Sequence, residues 1–247
     1  MKKLYIIGLG PGAGLDLTGR AEKALDDCEV LVGYTAYIDL LREQYPDRQL
    51  IATPMRTEVE RCRLALGLAQ EGKKTGMVCS GDPGIYGMAG LCMELSGEYP
   101  EVELEVVPGV TAANGGAALL GAPLMNDFAV ISLSDLMTPW ETITRRLKAA
   151  AEADFVLCLY NPSSRKRRDH LRRACEILLE VLPPETPCGC ARNIGREGEE
   201  TRLYTLSELR EAETDMFTTV YVGNSRTKVM NGRLVTPRGY LQKEPQA

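Results

Sequence analysis

Residues 4–14 read Leu-Tyr-Ile-Ile-Gly-Leu-Gly-Pro-Gly-Ala-Gly, an apolar run that ends in a glycine-rich turn. The run Leu4–Ile7 predicts a buried strand. Asp16 or Thr18 is placed to cap the helix that follows, and a second apolar run at residues 29–32 predicts the next strand. A strand, a helix and a strand in this order are typical of an α/β protein with a mostly parallel sheet.

The rest of the chain continues this alternation, so we expect an α/β fold throughout. Further predicted strands lie at residues 50–52, 75–79, 104–107, 128–133, 155–160, 188–193, 201–205 and 218–222. Further predicted helices lie at residues 58–71, 85–97, 111–120 and 164–181, and Thr-Pro-Trp-Glu at residues 138–141 predicts one more helix start.

A short segment rich in turn residues, Gly121–Asp127, predicts a linker between two domains. We therefore expect an amino-terminal α/β domain over residues 1–121, which holds the glycine-rich turns, and a carboxy-terminal α/β domain over residues 127–240. Residues 241–247 are expected to form a frayed tail.

The composition excludes several classes of protein. With 44% apolar and 26% charged residues over 247 positions, the chain has the usage of a globular protein. Its net charge of −5 and its 6% aromatic content argue against a dedicated nucleic-acid binder. The apolar start resembles a signal peptide only as far as Gly8, and no later run approaches the roughly 20 residues that span a bilayer. We therefore expect a soluble, cytoplasmic protein.

The eight cysteines are predicted to be reduced. They are scattered through apolar segments, which is typical of small buried side chains in a reducing compartment. Cys188 and Cys190 are the one close pair, and the sequence has a single histidine, His170. These ligands are too few for a zinc site, so we expect no metal, and a metal or redox site at the cysteine pair is the alternative.

The first glycine-rich turn formally satisfies the dinucleotide motif G-x-G-x-x-G/A. A dinucleotide site needs an acidic residue at the end of the second strand, whereas that strand ends in Val32-Gly33-Tyr34. It also needs the helix to start inside the motif, and here the cap comes later. No Gly-Lys-Ser/Thr closes the turn, which excludes a P-loop.

Two more glycine-bearing loops follow predicted strands, at residues 80–87 (Ser-Gly-Asp-Pro-Gly-Ile-Tyr-Gly) and 107–113 (Val-Pro-Gly-Val-Thr-Ala-Ala). Glycine lets the backbone approach a ligand closely, and ligands of open α/β sheets bind at the carboxyl ends of strands. Ordinary turns explain each loop separately but explain the set of three poorly.

Together these motifs resemble the S-adenosylmethionine-dependent tetrapyrrole methyltransferases over nearly the whole chain, from residue 4 to about 240. Strings at residues 33–37, 80–89, 127–135, 138–140 and 159–164 are similar to those of the members that methylate C17 of precorrin-3B or cobalt-precorrin-3. The resemblance implies two α/β domains with the methyl donor, S-adenosylmethionine, in the cleft between them. It also implies a role in cobalamin biosynthesis, with contraction of the macrocycle accompanying methyl transfer, and a homodimer.

The resemblance also assigns site residues by position. Those expected to hold the donor are Pro11, Ser80, Gly81, Asp82, Ile85, Thr111, Ala112, Asn161 and Asn193. Ring contraction calls for proton transfers, for which the candidates are Arg56, Tyr34 and Asp82, together with Thr57 and Asp135. The substrate carries many carboxylates, so arginines are expected to bind it, and Arg20, Arg56, Arg192 and Arg196 are the candidates. A surface salt bridge is the alternative interpretation of Arg56.

Three other functions stay open at this point. The chain could methylate another corrinoid carbon, or another substrate such as a protein side chain or ribosomal RNA. It could also be a non-catalytic corrinoid carrier, which would need no donor site. The sequence does not tell whether the substrate carries cobalt.

Overall fold

The computed structural model describes residues 2–12, 14–164 and 166–240, so the predicted tail at 241–247 lies outside the described residues. The chain divides into two compact units, residues 1–112 and 113–247. This division falls nine residues before the expected linker at 121–127. The helix between these positions belongs with the second unit, for the packing reasons given below.

The first unit contains a five-stranded sheet in which every strand is parallel to its neighbours. The strands are β1 (Lys3–Gly8), β2 (Val30–Tyr34), β3 (Gln49–Thr53), β4 (Thr75–Cys79) and β5 (Glu103–Val107). Their order across the sheet is β3-β2-β4-β1-β5. The predicted parallel sheet is confirmed.

Helices cover both faces of this sheet. They are α1 (Gly19–Asp27), α2 (Thr35–Asp39), α3 (Glu58–Gln70) and α4 (Ala89–Leu95). Side chains alternate along a strand, so Ile6 packs in the cluster that contains α3 and α4, while Ile7 packs in the cluster that contains α1 and α2. Thr18 caps α1 by accepting a hydrogen bond from the backbone N–H of Ala21 at 3.1 Å, as predicted.

The second unit contains a mixed sheet and a small additional one. Its elements are α5 (Ala112–Leu120), β6 (Gly121–Ala122), β7 (Phe128–Ser132), α6 (Trp140–Glu152), β8 (Val156–Tyr160), α7 (His170–Leu179), β9 (Pro187–Arg192), β10 (Glu200–Thr205), α8 (Leu206–Leu209), β11 (Thr218–Val222), β12 (Lys228–Met230) and β13 (Arg233–Val235). The larger sheet has the order β10-β9-β11-β8-β7, and within it only β7 and β8 are parallel. The smaller sheet has the order β12-β13-β6.

Helix α5 packs tightly against the larger sheet, and this explains its run of small residues. A Cβ atom on Gly116 would lie 2.5 Å from the Tyr221 hydroxyl and 2.9 Å from Ala191, so only glycine fits there. The Tyr221 hydroxyl donates a hydrogen bond to the Ala113 carbonyl at 2.9 Å, and the Ala113 N–H donates to the Tyr160 hydroxyl at 2.8 Å. The helix is therefore fixed to the second unit.

One predicted helix start in the second unit was wrong. Helix α7 begins at His170, six residues later than predicted, because residues 161–164 and 166–169 form loop and turn. The start predicted at residues 138–141 is confirmed, because α6 begins at Trp140 with Pro139 as its cap residue. Pro139 makes no side-chain capping bond, and a capping box lies at Thr205 and Glu208, at the start of α8.

All eight cysteines are free and buried, as predicted for reduced thiols. Burial raises the pKa of Cys190 to about 12, and it also raises the pKa of Cys188. Both side chains belong to the core of the second unit. None of the helices in the described residues is both long enough and apolar enough to cross a membrane.

Candidate active site

The three glycine loops lie side by side at one edge of the first sheet. They follow β4, β1 and β5, and these strands are direct neighbours in the order β4-β1-β5. Because the strands are parallel, all three loops leave from the same edge, where α/β proteins bind ligands.

Backbone contacts join the three loops directly. Gly10 and Gly81 exchange two hydrogen bonds, with the Gly81 N–H donating to Gly10 at 2.8 Å and the Gly10 N–H donating to Gly81 at 3.2 Å. A Cβ atom on Gly109 would lie 2.1 Å from the Gly81 carbonyl oxygen, and one on Gly8 would lie 2.6 Å from it. Glycine at positions 8 and 109 therefore allows the loops to touch.

Asp82 ties the second loop to the third. Its Oδ1 accepts a hydrogen bond from the Gly84 N–H at 2.8 Å, and its Oδ2 accepts one from the Gly109 N–H at 3.1 Å. Both carboxylate oxygens thus bind backbone groups and hold the loops in place. Its roles in catalysis and donor binding stay predictions beside this structural one.

Gly81 differs from Gly8, Gly10 and Gly109 because space is open above it. Its φ of +65° is a left-handed conformation, and a Cβ atom there would have no neighbour closer than 3.8 Å. The nearest atoms belong to Thr111 and Ala112, which are also predicted donor-binding residues. Ser80 precedes this glycine, and Ile85 is an exposed side chain of the same loop.

The other half of the same sheet edge carries the predicted catalytic residues. Tyr34 ends β2, and its ring packs edge-to-face on Tyr37 with centroids 5.2 Å apart. Arg56 follows β3, is exposed and has a φ of +68°. Asp82 follows β4, which is the neighbour of β2 on the side away from β3. The three candidates therefore lie at the ends of three adjacent strands.

Arg56 is not a salt-bridge residue within the described part of the chain. Its backbone N–H donates to Glu58 Oε1 at 3.2 Å, and its guanidinium has no carboxylate partner among the residues described. No salt bridge supports the surface interpretation within the described residues, and the arginine carries a charge at this edge.

Arg61, which the sequence analysis missed, anchors the loop that carries Arg56. It is 4% exposed, and its Nε donates to Thr53 Oγ1 at 2.5 Å while a terminal nitrogen donates to the Pro54 carbonyl at 2.8 Å. It joins the end of β3 to the start of the loop. Only its position one turn into a helix next to this loop could have indicated it from sequence.

The two predicted donor residues of the second unit also have left-handed backbones. Asn161 has a φ of +55°, and its Nδ2 donates to Ser132 Oγ at 3.0 Å. Asn193 has a φ of +51°, and its Nδ2 donates to the Gly198 carbonyl at 3.3 Å. Asparagine tolerates this conformation better than most residues, which accounts for both side chains without a ligand.

Arg192 differs from Arg56 because it is already paired. It lies 2.8 Å from Asp215 and 3.2 Å from Glu200. We expect Arg192→Ala to leave the free energy of unfolding nearly unchanged, as for exposed ion pairs. We expect the affinity for the tetrapyrrole substrate that the resemblance implies to stay within about twofold of the wild type, because Asp215 and Glu200 already pair with this guanidinium. Denaturant unfolding and a tetrapyrrole titration measure the two quantities, and a tenfold loss of affinity would return Arg192 to the substrate site.

The model of the tetrapyrrole (corrin/porphyrin) methylases matches residues 3–210 of this chain. The chain belongs to the tetrapyrrole methylase family. This confirms the resemblance and the expected fold class.

Individual tetrapyrrole methylases agree with this assignment over nearly their full lengths. A probable cobalt-factor III C(17)-methyltransferase of Salmonella typhimurium is 48% identical, with 96% of this chain and 99% of the relative covered. A precorrin-3B C(17)-methyltransferase of a Sinorhizobium species is 41% identical, with 96% of each covered. The crystal structure of the methyltransferase CobJ superposes with a TM-score of 0.87 at 35% identity, covering 95% of this chain and 99% of that one.

Proposed function

We propose that this tetrapyrrole methylase transfers a methyl group from S-adenosylmethionine to C17 of precorrin-3B or of its cobalt-containing counterpart, in cobalamin biosynthesis. Contraction of the macrocycle accompanies the transfer. The observation that carries the proposal is the meeting of three glycine loops at adjacent strand ends. The names of the full-length relatives support the choice of C17.

The residues at the loops fit the donor. The open space at Gly81, bounded by Thr111 and Ala112, is a cradle that any larger side chain would fill. Pro11, Ser80, Asp82 and Ile85 complete the proposed donor site, with Asn161 and Asn193 from the second unit. S-adenosylmethionine, when bound, supplies an electrophilic methyl group. The chain contributes mainly by holding the reactants in line, which is worth up to roughly 7–11 kcal/mol of the barrier.

The substrate half of the edge combines apolar and cationic groups. Leu15, Met55 and Tyr86 are exposed at loops of this edge, where the Arg56 guanidinium also lacks a carboxylate partner among the described residues. A flat macrocycle with peripheral carboxylates needs both kinds of surface. Tyr34 and Asp82 are the proposed proton-transfer residues at the junction between the two halves.

A homodimer and a cytoplasmic location, which the resemblance also implies, belong to the same proposal. A non-catalytic carrier is the second candidate function, but it leaves the joined glycine loops without a purpose. Calorimetry with S-adenosylmethionine alone separates the two. We expect one donor molecule bound per chain, and no detectable heat would favour the carrier.

The reaction itself is tested with a donor whose methyl group carries ¹³C. The protein is incubated with each trimethylated precursor, with and without cobalt, and the products are examined by mass spectrometry and ¹³C NMR. We expect the mass of one added methyl group, and a label at C17. A label at another ring carbon would show that the enzyme methylates that carbon and not C17. No gain in mass with any precursor would refute the proposed activity.

A further inference from the structure

The single histidine of the chain is buried at the start of α7, and its hydrogen bonding is incomplete. Its side chain is 5% exposed, and its ring packs edge-to-face on Trp140 with centroids 4.8 Å apart. Nε2 of His170 lies 3.3 Å from Oδ2 of Asp135. Among the described residues, neither ring nitrogen has a hydrogen-bond partner. A buried polar group without a partner is uncommon and calls for an explanation.

Asp135 stands between this buried imidazole and the surface. Its side chain is 37% exposed, and its Oδ1 lies 3.6 Å from a guanidinium nitrogen of Arg167. Arg167 is itself fixed, because its Nε donates to Ser164 Oγ at 3.1 Å and another nitrogen donates to Ser134 Oγ. The carboxylate is therefore held with one oxygen toward a permanent cation and the other toward a titratable base.

The surroundings of His170 contain charges of both signs. A second carboxylate belongs to Asp169, whose side chain is largely exposed. Its Oδ1 lies 3.7 Å from Nδ1 of His170. The Arg173 guanidinium lies 4.0 Å from the centroid of the Trp140 ring. Burial works against ionisation of Asp135, but the neighbouring His170 and Arg167 lower its pKa below the usual value. A proton on His170 would thus lie between two carboxylates.

The strand order places this pair with other polar groups. Asp135 follows β7, and the Arg167 loop follows β8, which is parallel and adjacent to β7. At the same edge, Asn161 donates to Ser132. A carboxylate that is accessible in front and backed by a buried base is the arrangement of a proton-transfer site.

We propose that Asp135 and His170 form a proton-transfer pair, with Asp135 as the accessible member and His170 as the positioning residue behind it. This rests on the proposed function, because ring contraction is the step that needs proton transfers. Asp135 accepts a proton from an acidic O–H or C–H bond of the bound macrocycle, and the electron pair of that bond stays on the substrate. The proton passes to Nε2 of His170, which becomes an imidazolium between Asp135 and Asp169, and it returns to the product by the reverse route.

The first test does not depend on activity. Because the chain has one histidine, untagged protein gives a single set of imidazole signals in NMR. We expect Asp135→Asn to change the chemical shifts of the His170 ring more than Asp169→Asn does, because Asp135 lies 3.3 Å from the ring and Asp169 lies 3.7 Å from it. Asp169→Asn is the matched control at a more exposed carboxylate. Unchanged ring signals in Asp135→Asn would overturn the pair.

The second test measures methylated and ring-contracted products separately by mass spectrometry. In His170→Gln and Asp135→Asn we expect methyl transfer to continue, while formation of the contracted product falls at least about tenfold. Asp135→Asn changes an accessible side chain, so it remains informative if His170→Gln fails to fold. Contraction at the wild-type rate in either folded variant would refute the proposal. Failure of the wild type to methylate at all would refute the proposed function instead, and the NMR result would still decide the pair.

Discussion

Replacing Gly81 by asparagine is expected to lower the affinity for S-adenosylmethionine at least about 100-fold, a loss of about 2.7 kcal/mol. The side chain would project into the open space next to Thr111 and Ala112, where the proposed donor site lies. Asparagine is suited to the test because it tolerates the left-handed backbone that Gly81 adopts. We therefore expect the midpoint of thermal unfolding to fall by only a few degrees, as for a loss of about 1 kcal/mol. Calorimetric titration and a thermal melt measure the two effects.

The choice of substitution separates binding from folding. Valine at the same position would add the strain of a β-branched residue at positive φ. Alanine at Gly109 would place a Cβ atom against the Gly81 carbonyl and disturb the junction of the loops. Neither variant would report on the donor alone.

The matched control is Gly232→Asn. Gly232 has a φ of +71° and also has no atom within 4 Å of an added Cβ, but it lies in the turn between β12 and β13. We expect this variant to bind the donor normally and to unfold at a similar temperature. Normal donor binding by Gly81→Asn would mean that the second loop is only a turn.

The local order of the fold was predictable because short apolar runs and glycine turns are local signals. Strand β4 was predicted with its observed bounds, Thr75–Cys79, and α3 ends within one residue of its predicted end. Helix α4 starts four residues late, because Asp82 accepts the Gly84 N–H and keeps the preceding segment in a turn. The side chains of a turn compete with the helix in a way that periodicity does not reveal.

The lateral order of strands was not predictable, and the candidate site depends on it. The sequences of β4, β1 and β5 contain no signal that these strands are neighbours. Their adjacency nevertheless brings the three glycine loops together. The antiparallel pairing of β8, β9 and β11 was likewise missed, because apolar runs do not encode strand direction.

Tertiary partners also decide the roles of single polar residues. Arg61 looked like one charge among many in a helix, and its anchoring role appears only when Thr53 and Pro54 are placed beside it. His170 and Asp135 are 35 positions apart in the sequence, and the parallel pairing of β7 with β8 brings their loops together. Contacts of this kind follow from topology and not from composition.

Replacing Arg56 by alanine is expected to weaken tetrapyrrole binding about 10- to 150-fold, or about 1.5–3 kcal/mol, the typical contribution of a hydrogen bond to a charged group. The guanidinium is exposed and unpaired within the described chain, so its bond to a substrate carboxylate displaces no internal ion pair. The left-handed backbone at this position strains arginine and alanine alike. The substitution therefore tests the charged group and not the backbone conformation. Donor affinity should change by less than about twofold, because backbone groups of other loops form the proposed donor site. Two titrations on the variant, one with each ligand, measure these effects.

Salt provides an independent check on the same contact. Screening weakens exposed ion pairs, so tetrapyrrole affinity of the wild type should fall between low salt and 1 M ionic strength, where the Debye length is about 3 Å. In Arg56→Ala this fall should be smaller, because the screened contact is already absent. Arg192→Ala is the matched control, since its guanidinium is held by Asp215 and Glu200, and it should keep the wild-type affinity and salt response. Equal losses for donor and tetrapyrrole in Arg56→Ala would show that the arginine supports the loop structure. Wild-type affinity for both ligands would remove it from the site, and the substrate carboxylates would then have to be held by another cation of the sheet edge.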